Sequence, residues 1–301
     1  MSTLSKSPVY VAREALAVGQ KALRPYSHKY SPKRYTQPQL FACLVLKTFC
    51  KLDYRGVTVW LTDLPDLRRA IGLTDVPHFT TLQKASVRLL RCRRVRRLLH
   101  VTIRRRLPRR RRVRRAAFDS TGLDCGHRSY YYVRRRSATN PRWQRVAYSH
   151  YAKLELAIDT ASHVILAAVT GRGPRPDTDR FVPLLDAALA TVRLAAVLAD
   201  AGYDSEPNHR YARDQHGVRS FIPAKIGRPT SKPPSGRYRR QMKQRLNKHY
   251  GRYGQRWQIE CTNSMFKRRL ATTVQARSYW SQCRELLLLV LTYQVMLRQA
   301  A

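Results

Sequence analysis

The chain of 301 residues carries 59 lysine and arginine residues against 18 aspartate and glutamate residues, a formal net charge of +41 at pH 7. Such an excess of positive charge predicts a polyanionic partner, and nucleic acid is the commonest one. The cations are mainly arginine, whose planar guanidinium group binds phosphate oxygens in pairs. With 43% hydrophobic residues the chain can form a folded core, which excludes a fully disordered basic tail.

Apolar runs in the sequence are short. The longest, Leu40–Leu46 and Leu286–Leu291, fall far below the roughly 20 residues that a membrane-spanning helix needs, and the N-terminal segment lacks the apolar block of a signal peptide. The six cysteines are scattered without a Cys-x-x-Cys pair, which is typical of reduced thiols. We therefore expect a cytoplasmic protein that does not bind membranes.

Residues 1–100 show mainly helical periodicity. Helices are predicted over residues 37–52, 56–64, 67–71 and 82–90. Short helices joined by tight turns are typical of a helix-turn-helix-like DNA-binding module, and they suit any small helical bundle equally well. The charge of the chain favours the first interpretation, so residues 1–108 are predicted to be a helical N-terminal DNA-binding region that ends in an arginine-rich linker.

Arginine dominates residues 91–115, where it is interrupted mainly by leucines and a proline. Two interpretations fit this composition equally well. Blocks of like charge usually form solvated, partly disordered linkers. In a chain with so few carboxylates, the same block could be an arm that follows the phosphates of a nucleic acid.

Short strands and helices alternate from Val113 onward. Strands are predicted at residues 116–119, 151–158, 164–170, 194–199 and 218–222, and helices at residues 180–192, 205–216, 250–270 and 284–298. Residues 226–250 are basic and rich in glycine and proline, which predicts a short insertion or loop. The alternation implies an α/β domain over residues 109–301, with a mixed sheet covered by helices on both faces. This order of elements is that of an RNase H-like fold.

Three acidic residues occupy positions suited to metal-dependent chemistry on phosphates. Asp119 and Asp200 each follow an apolar run and are predicted to end neighbouring strands, where open α/β sheets bind ligands. Glu260 lies in the predicted helix 250–270 and could lean over the same edge of the sheet. Carboxylates bind Mg²⁺, and two such ions about 4 Å apart can activate an attacking oxygen and stabilise a leaving one. For any one aspartate alone, however, a turn or a helix cap is the more frequent role.

The other acids of this region are predicted to have structural roles. Asp159 is followed by Thr-Ala-Ser and an immediate return strand, which indicates a turn residue. Asp177 and Asp179 are predicted to cap the following helix, and Asp204 is predicted to be a cap or the neighbour of one. Asp124 is predicted to lie in a loop.

The segment around Glu260 has a regular polar spacing. Tyr253, Arg256, Glu260 and Lys267 stand at positions i, i+3, i+7 and i+14, close to one face of an α-helix. A face that carries one carboxylate, two cations and a phenol could bind both a metal and a phosphate. An amphipathic helix with an ordinary charged face is the alternative.

This spacing, Tyr-x2-Arg-x3-Glu-x6-Lys, resembles the YREK signature of bacterial insertion-sequence transposases of the DDE type. The segment Asp200-Ala-Gly-Tyr203 is similar to the one that carries their second catalytic aspartate, and Phe118-Asp119-Ser-Thr121 is similar to the first. The resemblance covers roughly residues 110–300. It implies that Asp119, Asp200 and Glu260 form a metal-binding catalytic triad for two Mg²⁺ ions, with Mn²⁺ able to substitute.

The same resemblance implies that Tyr253, Arg256 and Lys267 contact DNA near the scissile phosphate. It further implies phosphodiester hydrolysis at inverted-repeat ends, strand transfer into target DNA, and a homodimer on double-stranded DNA. The short basic segment 226–250 differs from the large β-rich insertion of some relatives, so a hairpin intermediate stays open. A basic nucleic-acid-binding protein without chemistry and a stand-alone RNase H-like nuclease are the alternatives.

Overall fold

The structure of the protein is a computed structural model that describes residues 4–107, 112–126, 131, 151–225, 232–246 and 250–298. The chain forms two compact units, one of residues 1–108 with 266–301 and the other of residues 109–265. The predicted boundary after residue 108 coincides with the boundary between these units. Residues 266–301 of the predicted domain 109–301 group with the N-terminal helices, and the bounds of the predicted domains stay a prediction.

The described helices and strands, numbered along the chain, agree with most of the predicted elements. The helices are α1 Pro8–Ala22, α2 Gln37–Phe49, α3 Tyr54–Asp63, α4 Pro65–Ala70, α5 Phe79–Leu89, α6 Cys92–Arg106, α7 Phe181–Leu189, α8 Glu206–Arg210, α9 Arg237–Arg245, α10 Tyr250–Tyr253, α11 Trp257–Arg269 and α12 Tyr279–Met296. The strands are β1 Arg112–Val113, β2 Ala116–Cys125, β3 Tyr151–Asp159, β4 Ile165–Gly173, β5 Arg193–Leu194, β6 Ala196–Ala199, β7 Arg219–Phe221 and β8 Thr273–Val274.

The helical unit is built around α2 and α12. Helix α2 starts with a capping box, in which Thr36 and Gln39 satisfy each other's backbone N–H groups, and its run Leu40–Leu46 is buried. Helix α12 is buried on all sides from Leu286 to Met296 and packs against α1, α2 and α6. A helix that is apolar all round needs neighbours on every side, which explains why this segment joins the N-terminal helices. None of the helices in the described parts combines the length and apolar composition of a bilayer span.

The arginine-rich stretch is largely helical, so the prediction of a partly disordered linker is wrong for residues 92–106, while contact with nucleic-acid phosphates stays a prediction. Helix α6 buries one face and exposes the other. The buried face consists of Val95, Leu98, Leu99, Thr102 and Ile103, and the exposed arginines include Arg93, Arg96 and Arg97. Apolar residues that recur every three or four positions among the arginines produce this amphipathic helix. Part of the stretch, residues 108–111, lies outside the described residues.

One carboxylate joins α1 to α6. Glu14 accepts hydrogen bonds from Arg105 Nε at 2.9 Å and Arg105 Nη2 at 2.7 Å, and from Arg106 Nη2 at 3.1 Å. The Glu14 side chain is 11% exposed, so this is a largely buried ion pair with two guanidinium groups. Its two bonds from Arg105 form the bidentate geometry that makes such pairs strong.

The second unit contains a mixed sheet with the strand order β4-β3-β2-β6-β7. Strand β2 pairs antiparallel with β3 and parallel with β6, while β6 pairs parallel with β7 and β3 pairs antiparallel with β4. Helices cover both faces: on one face Phe118 packs against Phe181 of α7, with 5.6 Å between ring centroids. On the other face Met242 of α9 packs with Ala196 and Leu198. The predicted mixed sheet flanked by helices is therefore confirmed.

Two smaller predictions in this unit are wrong. Helix α9 lies inside the basic segment 226–250, which was predicted as an insertion or loop, because Met242 gives that helix a side chain to bury in the core. Residues 226–231 and 247–249 of the segment lie outside the described residues. Asp124 belongs to β2 and not to a loop, since β2 pairs with β3 well beyond Asp119.

Candidate active site

Asp119 and Asp200 stand side by side at the centre of the sheet. The parallel ladder between β2 and β6 ends with the pair Phe118 and Ala199, so the two aspartates are the next residues on neighbouring strands. Such strands are about 4.8 Å apart. Asp200 follows β6 directly, as predicted. Asp119 was predicted to end its strand but lies within β2, because β2 continues beyond β6 to pair with β3.

The Asp119 carboxylate is partly buried and has a single side-chain hydrogen bond, from Asn263 Nδ2 to Oδ2 at 2.9 Å. Burial and the neighbouring Asp200 raise the pKa of Asp119 to about 6, although the Ser120 N–H and Arg256 act in the opposite direction. The amide oxygen of Asn263 is buried without a hydrogen-bond partner. The charge of Asp200 therefore disfavours ionisation of this carboxylate, and the charge of Arg256 favours it.

The Asp200 carboxylate caps the 3₁₀ turn Ala201–Tyr203, and its Oδ1 accepts from the Gly202 N–H at 2.9 Å. Burial raises the pKa of Asp200, as does the nearby Asp177, while the Gly202 N–H and Arg256 lower it. A Cβ atom on Gly202 would lie 2.9 Å from Asp177 Oδ2 and 3.0 Å from Asp200 Oδ1. A side chain at position 202 would therefore push against both carboxylates.

Asp177 belongs to this acidic group and is not the helix cap that was predicted. Its side chain makes no capping hydrogen bond to the 3₁₀ segment Thr178–Arg180, and its Oδ1 pairs instead with Lys153 Nζ. By contrast, Asp159 is confirmed as a turn residue, since it accepts hydrogen bonds from the residues of its own turn. Asp204 is the neighbour of a cap, as predicted, because Ser205 caps α8.

Tyr253 and Arg256 lie beside the two aspartates. The Tyr253 hydroxyl donates to the carbonyl of Ala199, the residue before Asp200, at 3.3 Å. Burial lowers the pKa of Arg256, but Tyr253 and Glu260 outweigh burial and raise it. Arg256 also lowers the pKa of Asp119 and of Asp200 through its charge. The Arg256 guanidinium group thus favours ionisation of both aspartates, although its own ion pair is with Glu260.

Glu260 is held outside the aspartate pair. Its carboxylate pairs with Arg256 Nη2, and 55% of its side chain is exposed. Among the described residues, no three His, Cys, Asp or Glu side chains converge closely enough to hold a metal ion. The charge of Glu260 nevertheless helps to raise the pKa of Asp119, and the metal-binding triad of Asp119, Asp200 and Glu260 stays a prediction.

The predicted helix 250–270 is interrupted. Helix α10 ends at Tyr253, Gly254–Arg256 form a 3₁₀ turn, and α11 starts at Trp257. Gly251 and Gly254 lower the helix propensity at this point. The predicted single face is thus broken between Tyr253 and Glu260. Lys267 lies in the last turn of α11, beyond residue 265 where the sheet unit ends, and its role in DNA binding stays a prediction.

The donor set fits a hard divalent cation. Asp119 and Asp200 present carboxylates on adjacent strands, and no lysine, arginine or histidine nitrogen of the described chain forms a salt bridge with either. The unsatisfied amide oxygen of Asn263 lies on the residue that binds Asp119. Carboxylate and amide oxygens are suitable ligands for Mg²⁺.

Sequence reasoning missed Asn263 and Asp177. Asn263 follows Glu260 by three residues, and helical spacing alone would have placed it next to the predicted catalytic face. No comparable signal exists for Asp177, because its partner Lys153 lies on another strand, 24 residues earlier in the chain.

Comparison with protein families gives a match over residues 111–295 to the family described as the transposase DDE domain. The matched span includes the two aspartates as well as Tyr253, Arg256 and Glu260. No curated protein sequence matches the chain significantly.

Proposed function

The chain belongs to the transposase DDE domain family, and from this premise we propose that it is the transposase of an insertion sequence. We propose that it binds the inverted-repeat ends of that element, hydrolyses a phosphodiester bond in the presence of Mg²⁺ and transfers the freed end to target DNA. The observation that supports this proposal is the pair Asp119 and Asp200 in a chain of net charge +41: the two carboxylates lie in adjacent register, and neither forms a salt bridge with a described residue.

In this proposal Asp119 and Asp200 hold the divalent cation, for which Mn²⁺ can substitute. Bound Mg²⁺ would supply the positive charge that lets two carboxylates and a phosphodiester share one site, and would stabilise charge on the attacking and leaving oxygens. Asn263 orients the Asp119 carboxylate through its hydrogen bond. The Gly202 N–H does the same for Asp200.

Glu260 is proposed as the third catalytic carboxylate, and Arg256 controls its availability. Arg256 binds Glu260 in the structure, and a DNA phosphate is the competing anion for a guanidinium group. When Arg256 contacts the phosphate, Glu260 loses its partner and becomes free to turn toward the aspartates. Tyr253 and Lys267 are proposed as further contacts to the DNA near the scissile phosphate.

The remaining proposals concern the partners of the whole chain. We propose that the helical residues 1–108 bind the element ends, with the exposed arginines of α6 contacting the phosphate backbone. We also propose a homodimer on double-stranded DNA, since joining two ends requires two sites, and a cytoplasmic location at the nucleoid.

The test is a cleavage and joining assay with the full chain and duplex DNA that carries the terminal repeats flanking the gene. We expect nicks with 3′-hydroxyl ends and joined products in Mg²⁺ or Mn²⁺, and neither in EDTA. The Asp200→Asn variant is the control, and we expect it to bind the same DNA without cutting it. Tight binding without cleavage in any condition would instead identify a non-enzymatic binding protein. Cleavage of arbitrary DNA without joining would identify a nuclease.

A further inference from the structure

A second polar cluster lies beneath the candidate site. Lys153, Glu155 and Tyr203 are 5%, 1% and 0% exposed. Glu155 pairs across the sheet with Ser120, whereas Asp119 pairs with Leu156. Because neighbouring residues of a strand point to opposite faces, Lys153 and Glu155 point away from the face that carries Asp119. These side chains therefore do not reach a substrate on that face.

The buried Lys153 ammonium group has three oxygen atoms close to it. Its Nζ donates to the carbonyl of Arg175 at 2.8 Å and to Asp177 Oδ1, and it lies 3.2 Å from Glu155 Oε1. A buried ammonium group is costly to desolvate unless each of its protons has an acceptor. Here the lysine joins strand β3 to the segment after β4 that carries Asp177.

Glu155 and Tyr203 make the second connection. The buried Tyr203 hydroxyl donates to Glu155 Oε2, and its ring lies 6.4 Å from that of Phe181. Tyr203 is the last residue of the 3₁₀ turn that Asp200 caps. The turn is thus tied to β3 through the tyrosine hydroxyl.

Both connections meet at Asp200. Asp177 Oδ2 and Asp200 Oδ1 both lie next to Gly202, and Asp177 is itself paired with Lys153. The turn that carries Asp200 is thus held at Tyr203 by the hydrogen bond to Glu155 and borders the fixed Asp177 side chain at Gly202. Both constraints originate on β3, the strand that also pairs with β2 beside Asp119.

We propose that Lys153, Glu155, Asp177 and Tyr203 form a buried clamp that fixes the Asp200 carboxylate next to Asp119, as positioning residues for the divalent cation. This inference rests on the proposed function, because it assumes that the two aspartates bind the cation. The clamp explains why a hydrophobic sheet face contains a lysine, a glutamate and a tyrosine hydroxyl, when apolar residues of similar size would avoid their desolvation.

The test uses Tyr203→Phe, which removes only the hydroxyl group and keeps the ring packing. Loss of an outer-shell partner typically lowers metal affinity or activity about 10–100-fold. We therefore expect the half-saturating Mn²⁺ concentration, measured from the loss of the free Mn²⁺ EPR signal, to rise about tenfold. Cleavage should fall unless Mn²⁺ is raised in proportion, and DNA affinity should stay unchanged.

The matched control is Tyr211→Phe, which also removes a tyrosine–carboxylate hydrogen bond, that of Tyr211 to Asp186 at 2.7 Å. This bond lies elsewhere in the same unit, so the control should bind Mn²⁺ like the wild-type chain. The double variant Glu155→Gln with Tyr203→Phe should lose more than Tyr203→Phe alone, because Glu155 contacts Lys153 as well as Tyr203 and so belongs to both connections.

Two results would overturn the clamp, and a third would refute only the proposed function. Unchanged Mn²⁺ binding by Tyr203→Phe, in folded protein checked by circular dichroism, would reduce the cluster to a structural role. Absence of Mn²⁺ binding by the wild-type chain would remove both the clamp and the metal site. Mn²⁺ binding that depends on Tyr203 without any DNA cleavage would leave the clamp standing and would refute the proposed function instead.

Discussion

Glu14 in the helical unit and Asp119 in the sheet unit are both largely buried carboxylates, yet their surroundings differ. Glu14 receives hydrogen bonds from two arginines. Asp119 receives one from an asparagine amide and stands beside a second aspartate. Arginine is abundant throughout the chain, yet among the described residues none forms a salt bridge with Asp119 or Asp200, and Arg256 beside them pairs with Glu260.

Under the proposed function, this difference distinguishes a structural carboxylate, Glu14, from a carboxylate that binds the cation, Asp119. A buried ion pair satisfies both charges and leaves no room for a ligand. Two buried carboxylates without an ion pair disfavour their own ionisation, which is costly for the protein alone and is relieved by a bound cation. Perturbed acids of this kind are typical of sites that bind metals or perform catalysis.

The largest effect is expected when one aspartate of the pair is neutralised. We expect Asp119→Asn and Asp200→Asn each to lower metal-dependent DNA cleavage by about a thousandfold or more, because a ligand of the cation is lost. Cleavage rates at saturating DNA, with DNA affinity measured by fluorescence anisotropy, check this expectation. Retention of a tenth of the wild-type rate by either variant would remove the aspartates from the catalytic centre.

The converse change is Glu14→Gln, which leaves two arginine side chains without their carboxylate. Breaking a buried ion pair from one side costs roughly 3–5 kcal/mol. Because Arg105 is partly exposed, we expect the free energy of unfolding to fall by about 3 kcal/mol in urea denaturation. Mn²⁺ binding by the folded fraction should not change. A variant as stable as the wild-type chain would contradict a structural role for Glu14.

The pH dependence of stability tests the surroundings of Asp119. The pKa of Asp119 is raised to about 6 in the folded chain, so its ionisation costs native stability as the pH rises from its unfolded pKa through about 6. We expect Asp119→Asn to raise the free energy of unfolding of the metal-free protein by about 1–2 kcal/mol at pH 8. The gain should vanish below the unfolded pKa, where both states of the wild-type carboxyl are protonated. Urea titrations at the two pH values measure it, and equal gains at both would be inconsistent with the raised pKa.

The smallest effect is expected for Arg256→Gln. We expect DNA binding to weaken several-fold. The slope of log K against log salt concentration should become shallower by about 0.9, the contribution of one phosphate contact. The matched control is Arg210→Gln, since Arg210 also pairs with a glutamate four residues away, Glu206, outside the candidate site. Equal salt slopes for Arg256→Gln and the wild-type chain would exclude a phosphate contact by Arg256.

The sheet and its aspartate pair could be predicted because their signal is local. Apolar runs of strand length each end near an acid, and parallel strands bring such ends to one edge of the sheet. The extension of β2 beyond Asp119 could not be predicted, since residues 120–125 are not an apolar run and are strands only through pairing with β3. The pairing of Lys153 with Asp177 could not be predicted from the sequence either, because it depends on tertiary structure.

In the arginine-rich residues 91–115, the composition suggested a linker or arm, whereas the spacing of the apolar residues indicates a helix. The arginines of residues 91–115 hide the repeat of Val95, Leu98, Leu99 and Ile103, which forms the buried face of α6. For the segment around Glu260 the error is opposite: regular spacing suggested one helix, while Gly254 allows a 3₁₀ turn that changes the relation of Tyr253 to Glu260.

The return of α12 to the N-terminal helices has a consequence for synthesis. The helical unit contains residues 1–108 and 266–301, so the ribosome makes its last part only after the whole sheet unit. Units of contiguous sequence can fold as they emerge, and the sheet unit is of that kind. The helical unit can complete its fold only after α12 has been synthesised. Until then, the apolar surface that α12 covers is exposed in the nascent chain. A product cut short before α12 would keep the acidic pair and lack the finished helical partner.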